Sequence, residues 1–105
     1  MTMRAIVYAN GSSSIGLGHV MRTLAISNEL KKRGFVVEYI TDKSDDTAVR
    51  LIKSFGFNVM VKDNILDFIS KTKTQAFKYD AAIVDSYDIN EYELNGFYNI
   101  SNKVV

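Results

Sequence analysis

The chain has 105 residues, 47% of them hydrophobic and 24% charged, with 13 basic and 12 acidic side chains and a formal net charge of +1. That is the size and composition of one ordinary soluble globular domain, and it excludes a disordered chain. The balanced charge gives no electrostatic footprint for nucleic acid or an anionic membrane, and the absence of cysteine excludes disulfides, thiolate metal sites and cysteine nucleophiles.

With a single histidine the sequence offers no histidine-cluster metal site, and neither a metal nor a cofactor is expected. The apolar run Ala5 to Ala9 is too short for a signal-peptide core or a membrane span. A chain without cysteine suits a reducing cytoplasm, which is the expected location. Proline is absent, so glycine, asparagine and aspartate must punctuate the helices.

Ala5-Ile6-Val7-Tyr8-Ala9 is continuously apolar, as expected of a strand buried on both faces. A small polar loop, Asn10 to Gly18, leads to a predicted helix from about His19 to Arg33. Val20, Met21, Leu24 and Ala25 form its main apolar face, widened by Ile26 and Leu30, a breadth that predicts burial on more than one side. Lys31, Lys32 and Arg33 suit the negative helix end, and Gly34 suits the stop.

Phe35 to Ile40 reads as the second strand, ending at Thr41-Asp42. Ser44 to Asp46 offers caps for a second helix with Ala48, Ile52 and Phe55 on its apolar face and Gly56 at its end. Phe57 to Val61 is the third strand. Asn64, with Asp67 three residues on, caps a third helix whose apolar positions are Ile65, Leu66, Ile69 and Ala76. Ala81 to Val84 is a fourth strand that stops at Asp85, and Asn90 with Glu93 caps a fourth helix carrying Leu94 and Phe97. Lys103-Val104-Val105 begins a fifth strand.

Alternating strands and helices with short loops predict βαβ units, a parallel sheet and helices on both faces: a Rossmann-like three-layer α/β sandwich. Residues 1–105 read as a single domain that stops as a strand starts, a poor place for a complete fold to end, so the chain is expected to be a fragment or a partner that needs something else to cover its last edge. An uncovered edge strand is expected to favour homo-oligomers.

The most informative stretch is Gly11-Ser12-Ser13-Ser14-Ile15-Gly16-Leu17-Gly18-His19, between the first strand and the first helix. Ligands of open α/β sheets sit outside the carboxyl ends of strands, and a helix N-terminus there offers N–H groups. Gly11 to Gly16 has the P-loop spacing, but Leu17 replaces the lysine that would reach phosphates. Gly16 and Gly18 begin a dinucleotide fingerprint, but Met21 stands at its third glycine, and Asp42, at the ribose position of that fingerprint, loses its role with it. The loop therefore delivers His19 at a helix start, where the positive helix end disfavours imidazolium and a neutral ring can take a proton from water. The alternative is a histidine packed against the sheet, hydrogen-bonded and inert.

Ile15-Gly16-Leu17-Gly18-His19-Val20-Met21-Arg22-Thr23-Leu24 resembles the I-G-x-G-H-V-M-R-x-L signature of the UDP-sugar hydrolases of pseudaminic acid biosynthesis, shared with spore-coat polysaccharide proteins. Ile83-Val84-Asp85-Ser86-Tyr87 is similar to that family's second motif, a strand ending in Asp-x-Tyr. The resemblance spans the whole chain but only the N-terminal half of the family's protein. It implies the N-terminal half of a two-domain, GT-B-type fold whose C-terminal domain holds most of the nucleotide. The substrate it implies is a UDP-linked amino sugar of the diacetamido-trideoxy-altrose kind, with His19 as the base that activates water to expel UDP. The sequence departs from the family before the glycines, where Tyr8-Ala9-Asn10 replaces the usual Arg-x-Asp.

The resemblance makes Gly16, Leu17, Gly18, Arg22, Asp85 and Tyr87 the candidate substrate-binding residues. Arg22 lies one turn after His19 and suits a phosphate, a sugar or a salt bridge. Asp85 suits a ligand or an Asx-turn, and Tyr87 a sugar face or plain packing. Asp85 with Asp88 could form an acid–base pair or a magnesium site, but two acids in one loop are more often just solvated, while Lys71 and Lys73 belong to a polar helix face. Three readings remain open: a nucleotide-sugar hydrolase half, a glycosyltransferase half in which the base deprotonates an acceptor hydroxyl, and a non-catalytic α/β module. Without its second domain the chain is expected to bind UDP weakly or not at all.

Overall fold

A computed structural model describes residues 2–9, 17–41, 46–62, 64–75, 78–85 and 89–105. Its elements alternate: β1 (Arg4–Ala9), α1 (Gly18–Lys32), β2 (Val36–Thr41), α2 (Asp46–Ser54), β3 (Asn58–Val61), α3 (Ile65–Thr74), β4 (Ala81–Asp85) and α4 (Glu91–Ile100). The four strands form one parallel sheet in the order β3-β2-β1-β4. Beyond α4 the chain runs parallel beside β4 through isolated bridges, Tyr79 to Ser101 and Ala82 to Val104, so Lys103-Val104-Val105 lies along β4 but pairs too briefly to form the predicted fifth strand.

The order explains the layers. The chain moves outward from β1 to β2 to β3, then returns to the far side of β1 for β4. With right-handed crossovers, the two outward helices lie on one face and the two later ones on the other. Side-chain alternation in β1 serves both faces. Ala5, Val7 and Ala9 pack with Val20 and Leu24 of α1 and Ala48 and Ile52 of α2. Ile6 and Tyr8 pack with Ile65 and Ile69 of α3 and Phe97 and Ile100 of α4. Ala5 to Ala9 are all buried, as the unbroken apolar run requires.

The punctuation follows local chemistry. Gly34 and Gly56 take positive φ values of 91° and 87° after α1 and α2, where a side chain would be strained. Asn90 and Glu93 form a complete capping box at α4, with bonds of 2.9 and 3.1 Å. At α3, Asn64 accepts from the Asp67 N–H, while the Asp67 carboxylate lies 3.1 Å from Lys71 Nζ.

Three expectations about helix faces need correction. Helix α1 is buried along one stripe, His19, Val20, Thr23, Leu24 and Ser27, while Met21 and Ile26 are exposed. Its apolar residues therefore do not mark burial on two sides. The sheet selects the stripe in which two polar residues can be satisfied. The Tyr39 hydroxyl of β2 lies 2.8 Å from Ser27 Oγ and donates to Thr23 Oγ1 at 3.1 Å; Thr23 Oγ1 donates to the Val20 carbonyl at 2.8 Å. Since the Tyr39 proton goes to Thr23, Ser27 is the donor to Tyr39. Burial raises the Tyr39 pKa, opposed by the bonds to Ser27 and Thr23, so the phenol stays protonated. Likewise Phe55 falls after the end of α2 and is exposed, and Leu66 faces outward from α3. Ala76, Ser44 and Asp45 lie outside the described residues.

Candidate functional site

The strand order puts the end of β4 beside the end of β1, with Ala9 in register with Asp85. This is the point where the chain reverses its direction across the sheet, and open α/β sheets form their ligand crevice at such a point. Helix α1 starts there. Asp85 lies two residues after Ile83, on the face that packs against α1, so its carboxylate meets the first turn of that helix.

His19 Nδ1 is hydrogen-bonded to Asp85 Oδ1. Arg22 Nε donates to Asp85 Oδ2 at 3.0 Å, and Arg22 Nη2 donates to Oδ1 at 3.0 Å, a two-pronged grip on the carboxylate. Arg22 Nη2 also lies 3.0 Å from His19 Nδ1. A guanidinium can only donate and a carboxylate can only accept, so Nδ1 must carry the proton it gives to Asp85. The Arg22–Nδ1 approach is then a contact rather than a bond. In the neutral ring this tautomer leaves the lone pair on Nε2.

The three side chains differ in exposure: 11% for His19, 22% for Asp85 and 62% for Arg22. The histidine and carboxylate are shielded, and the arginine closes the cluster from the solvent side. Burial would raise the Asp85 pKa, but the hydrogen bonds from Arg22 and His19 and the charge of the Arg22 guanidinium outweigh it and hold the carboxyl below its ordinary value. Asp85 is therefore a fixed anion facing an oriented imidazole.

The helix start itself is unusual. Leu17 occupies the cap position with no side-chain cap bond, and the first turn has no acidic residue. Gly18 is exposed, and among the described residues nothing lies within 4 Å of where its Cβ would be. Among the described residues, neither packing nor a positive φ accounts for a glycine there.

Of the predicted site residues, His19, Arg22 and Asp85 are brought into one cluster, and Leu17 and Gly18 border it at the helix start. Gly16, Tyr87, Asp88 and Asn10 lie outside the described residues. Tyr8, which stands in place of the family's arginine, is buried on the opposite face of the sheet and stacks on Phe97 with ring centroids 5.5 Å apart. It is a core residue on the face turned away from α1. A cavity of about 550 Å³ lies elsewhere, between the sheet and α3. There Glu38 accepts from Arg4 and, at 2.9 Å, from the Tyr79 hydroxyl, so its principal charges satisfy one another. Burial and the Glu38 carboxylate push the Tyr79 phenol well above its usual range, which makes it a donor and not a base.

Sequence reasoning missed Tyr39, Thr23 and Ser27. The available signal was the spacing His19, Thr23, Ser27, a polar line at every fourth residue within an otherwise apolar stripe.

The fold and cluster define a Rossmann-like α/β domain with an oriented histidine at its strand-reversal point. The chain is similar to an uncharacterized protein of Methanocaldococcus jannaschii, MJ1062, with 29% identity over 103 residues that cover 98% of this chain and 21% of that protein. The chain thus spans about a fifth of the length of this relative. No protein-family profile matches the chain, and no solved structure matches it. Among the described residues no helix is long and apolar enough to cross a membrane.

Proposed function

We propose that this chain is the N-terminal domain of a nucleotide-sugar hydrolase, with a UDP-linked amino sugar as substrate and His19 as general base. The observation that carries the reading is the hydrogen bond of His19 Nδ1 to Asp85 beside Arg22 at the strand-reversal point. It joins the two motifs in which the sequence resembles the UDP-sugar hydrolases of pseudaminic acid biosynthesis. In the reaction, Nε2 takes a proton from water as the water oxygen bonds to the anomeric carbon. The bond from that carbon to the phosphate oxygen breaks, and UDP leaves with the electron pair. Asp85, already anionic, stabilises the imidazolium that forms. Gly18 leaves room for substrate to approach the helix start, and Arg22 keeps the carboxylate aimed at the ring.

A glycosyltransferase would use the same base on an acceptor hydroxyl, so product analysis is the test. In a protein that joins this domain to a nucleotide-binding domain, UDP and free sugar should appear without any acceptor. Release of UDP only when an alcohol acceptor is supplied would replace the hydrolase reading with the transferase one. An inert protein under both conditions would leave a non-catalytic module.

A further inference from the structure

We infer that Tyr39 is a positioning residue: its hydroxyl, through Ser27 and Thr23, sets the rotation of α1 that brings His19 onto Asp85. The inference rests on the reading of His19 as the base, but the geometry behind it is independent of any substrate.

Helix α1 is held to the sheet by two kinds of contact. Val20 and Leu24 are buried apolar side chains, and apolar contacts are non-directional. They resist separation but permit small rotations and slides. Among the described residues, hydrogen bonds from the sheet meet α1 at its first turn and again further along it. At its first turn His19 meets Asp85 of β4, and one and two turns later Thr23 and Ser27 meet Tyr39 of β2. Tyr39 is in register with Val7, and Val7 with Ile83, so Tyr39 and Asp85 stand on the same face of one rigid sheet. Two anchors on one rigid surface fix a helix against rotation, where either alone would leave a pivot.

The second anchor is dry. Tyr39, Thr23 and Ser27 are each 0% exposed. Three hydroxyls in a core are tolerated only when every one is bonded, and here each donates in turn, from Ser27 to Tyr39 to Thr23 to the Val20 carbonyl. That carbonyl belongs to the residue following His19, so the chain of bonds ends in the turn that carries the ring. An apolar trio of similar volume would bury well without specifying an angle. The polar line therefore does something for the helix that packing alone does not.

The test uses this chain as it stands, without substrate. His19 is its only histidine, so the ring signals of uniformly ¹⁵N-labelled protein need no assignment by mutation. In the wild type the Nδ1 proton should be visible and protected, since Asp85 accepts it. In Tyr39→Phe the backbone signals of β1 and β4 should persist. Exchange of the Nδ1 proton with water should rise about tenfold, as expected when local opening loses about one net hydrogen bond. Ser27→Ala, a smaller change that leaves the Tyr39–Thr23 bond, should raise it by less, and it decides the matter if Tyr39→Phe does not fold. A folded Tyr39→Phe, or failing that a folded Ser27→Ala, with wild-type protection of the Nδ1 proton would overturn the inference. That result would leave the hydrolase reading intact, whereas absence of hydrolysis in the two-domain protein would sink that reading and leave a loosened ring in Tyr39→Phe unexplained by catalysis but still real.

Discussion

Replacing His19 separates a base from a buried structural histidine, because the two roles predict effects of different size on different quantities. The side chain is 11% exposed and donates to an anionic carboxylate. His19→Ala removes one charge-assisted bond, about 1.5–3 kcal/mol. Asp85 is not stranded, because Arg22 still donates two bonds to it at 3.0 Å. For a domain of this size each kcal/mol lowers Tm by about 4–8 °C. A domain that begins near 5 kcal/mol and loses about 3 is still roughly 97% folded at 25 °C, so unfolding cannot account for more than a few per cent of lost turnover. Loss of general-base catalysis, in contrast, lowers kcat by roughly 10²–10⁴-fold. His19→Asn should recover part of the Tm, since its amide can bond Asp85, and none of the kcat, since an amide is no base near neutral pH. Substrate affinity should change far less than kcat, because the proton moves in the transition state. The assay is UDP release by the two-domain protein under saturating substrate, with Tm measured on the same samples. A well-folded His19→Ala that retains full kcat would refute the mechanism and leave His19 as a core residue.

Three further outcomes follow from the same geometry. Asp85 has a folded-state pKa below its unfolded value, so its stabilisation is present above about pH 4, the unfolded carboxyl range, and is lost as pH falls through the folded pKa. Asp85→Asn should therefore flatten the acid limb of the Tm-against-pH curve, and a limb identical to wild type would count against the cluster. Gly18→Ala should leave Tm unchanged or raise it by a few degrees, because a Cβ there meets nothing among the described residues and alanine is the better helix former by up to about 1 kcal/mol. It should raise KM for the nucleotide sugar; an unaltered KM would show that the helix start does not face substrate. At Gly96 an added Cβ would lie 2.6 Å from Ile69 Cδ1 and 3.0 Å from Cγ2. Gly96→Val should lower stability by about 1–3 kcal/mol through overpacking of α3 against α4, measured by urea unfolding, and a neutral result would mean that Ile69 has room to move.

Much of the fold was legible because its signals are local. An unbroken apolar run from Ala5 to Ala9 has few meanings other than a strand buried on both faces. Asn90 and Glu93 at capping spacing, and Gly34 and Gly56 after apolar periodic segments, specify helix ends by their own chemistry. The helix faces were less legible. Periodicity shows that α1 has a stripe, but Met21 and Ile26 are as apolar as Val20 and Leu24, and only the neighbouring strand decides which sector is covered. That strand presents the Tyr39 hydroxyl, which gives Thr23 and Ser27 bonds that solvent would otherwise supply, and so selects the polar line over the apolar one. At the site, His19, Arg22 and Asp85 could each be singled out by position, at a helix start, one turn into that helix and at a strand end. Their union could not, because it depends on β4 lying beside β1, a matter of strand order between residues 66 apart in sequence. The role of Tyr8 was hidden for a related reason: alternation in β1 turns it toward α3 and α4, away from the loop it adjoins in sequence.

The return of β4 to the far side of β1 also fixes when the cluster can exist. Strands β1, β2 and β3 with α1 and α2 form a unit of neighbours in sequence, whose contacts close short loops and form early on general grounds of chain entropy. In that unit α1 can dock, but Asp85 is not yet beside its first turn. Asp85 arrives only after α3 has crossed the other face and β4 has paired with β1, which closes the longest loop among the strand pairings. The contact between His19 and Asp85 thus depends on the strand pairing with the longest loop, and during synthesis it must wait until β4 has left the ribosome. A ring held in the Nδ1–H form is therefore a marker of a finished sheet, and a chain that collapses without β4 in place is silent at that histidine.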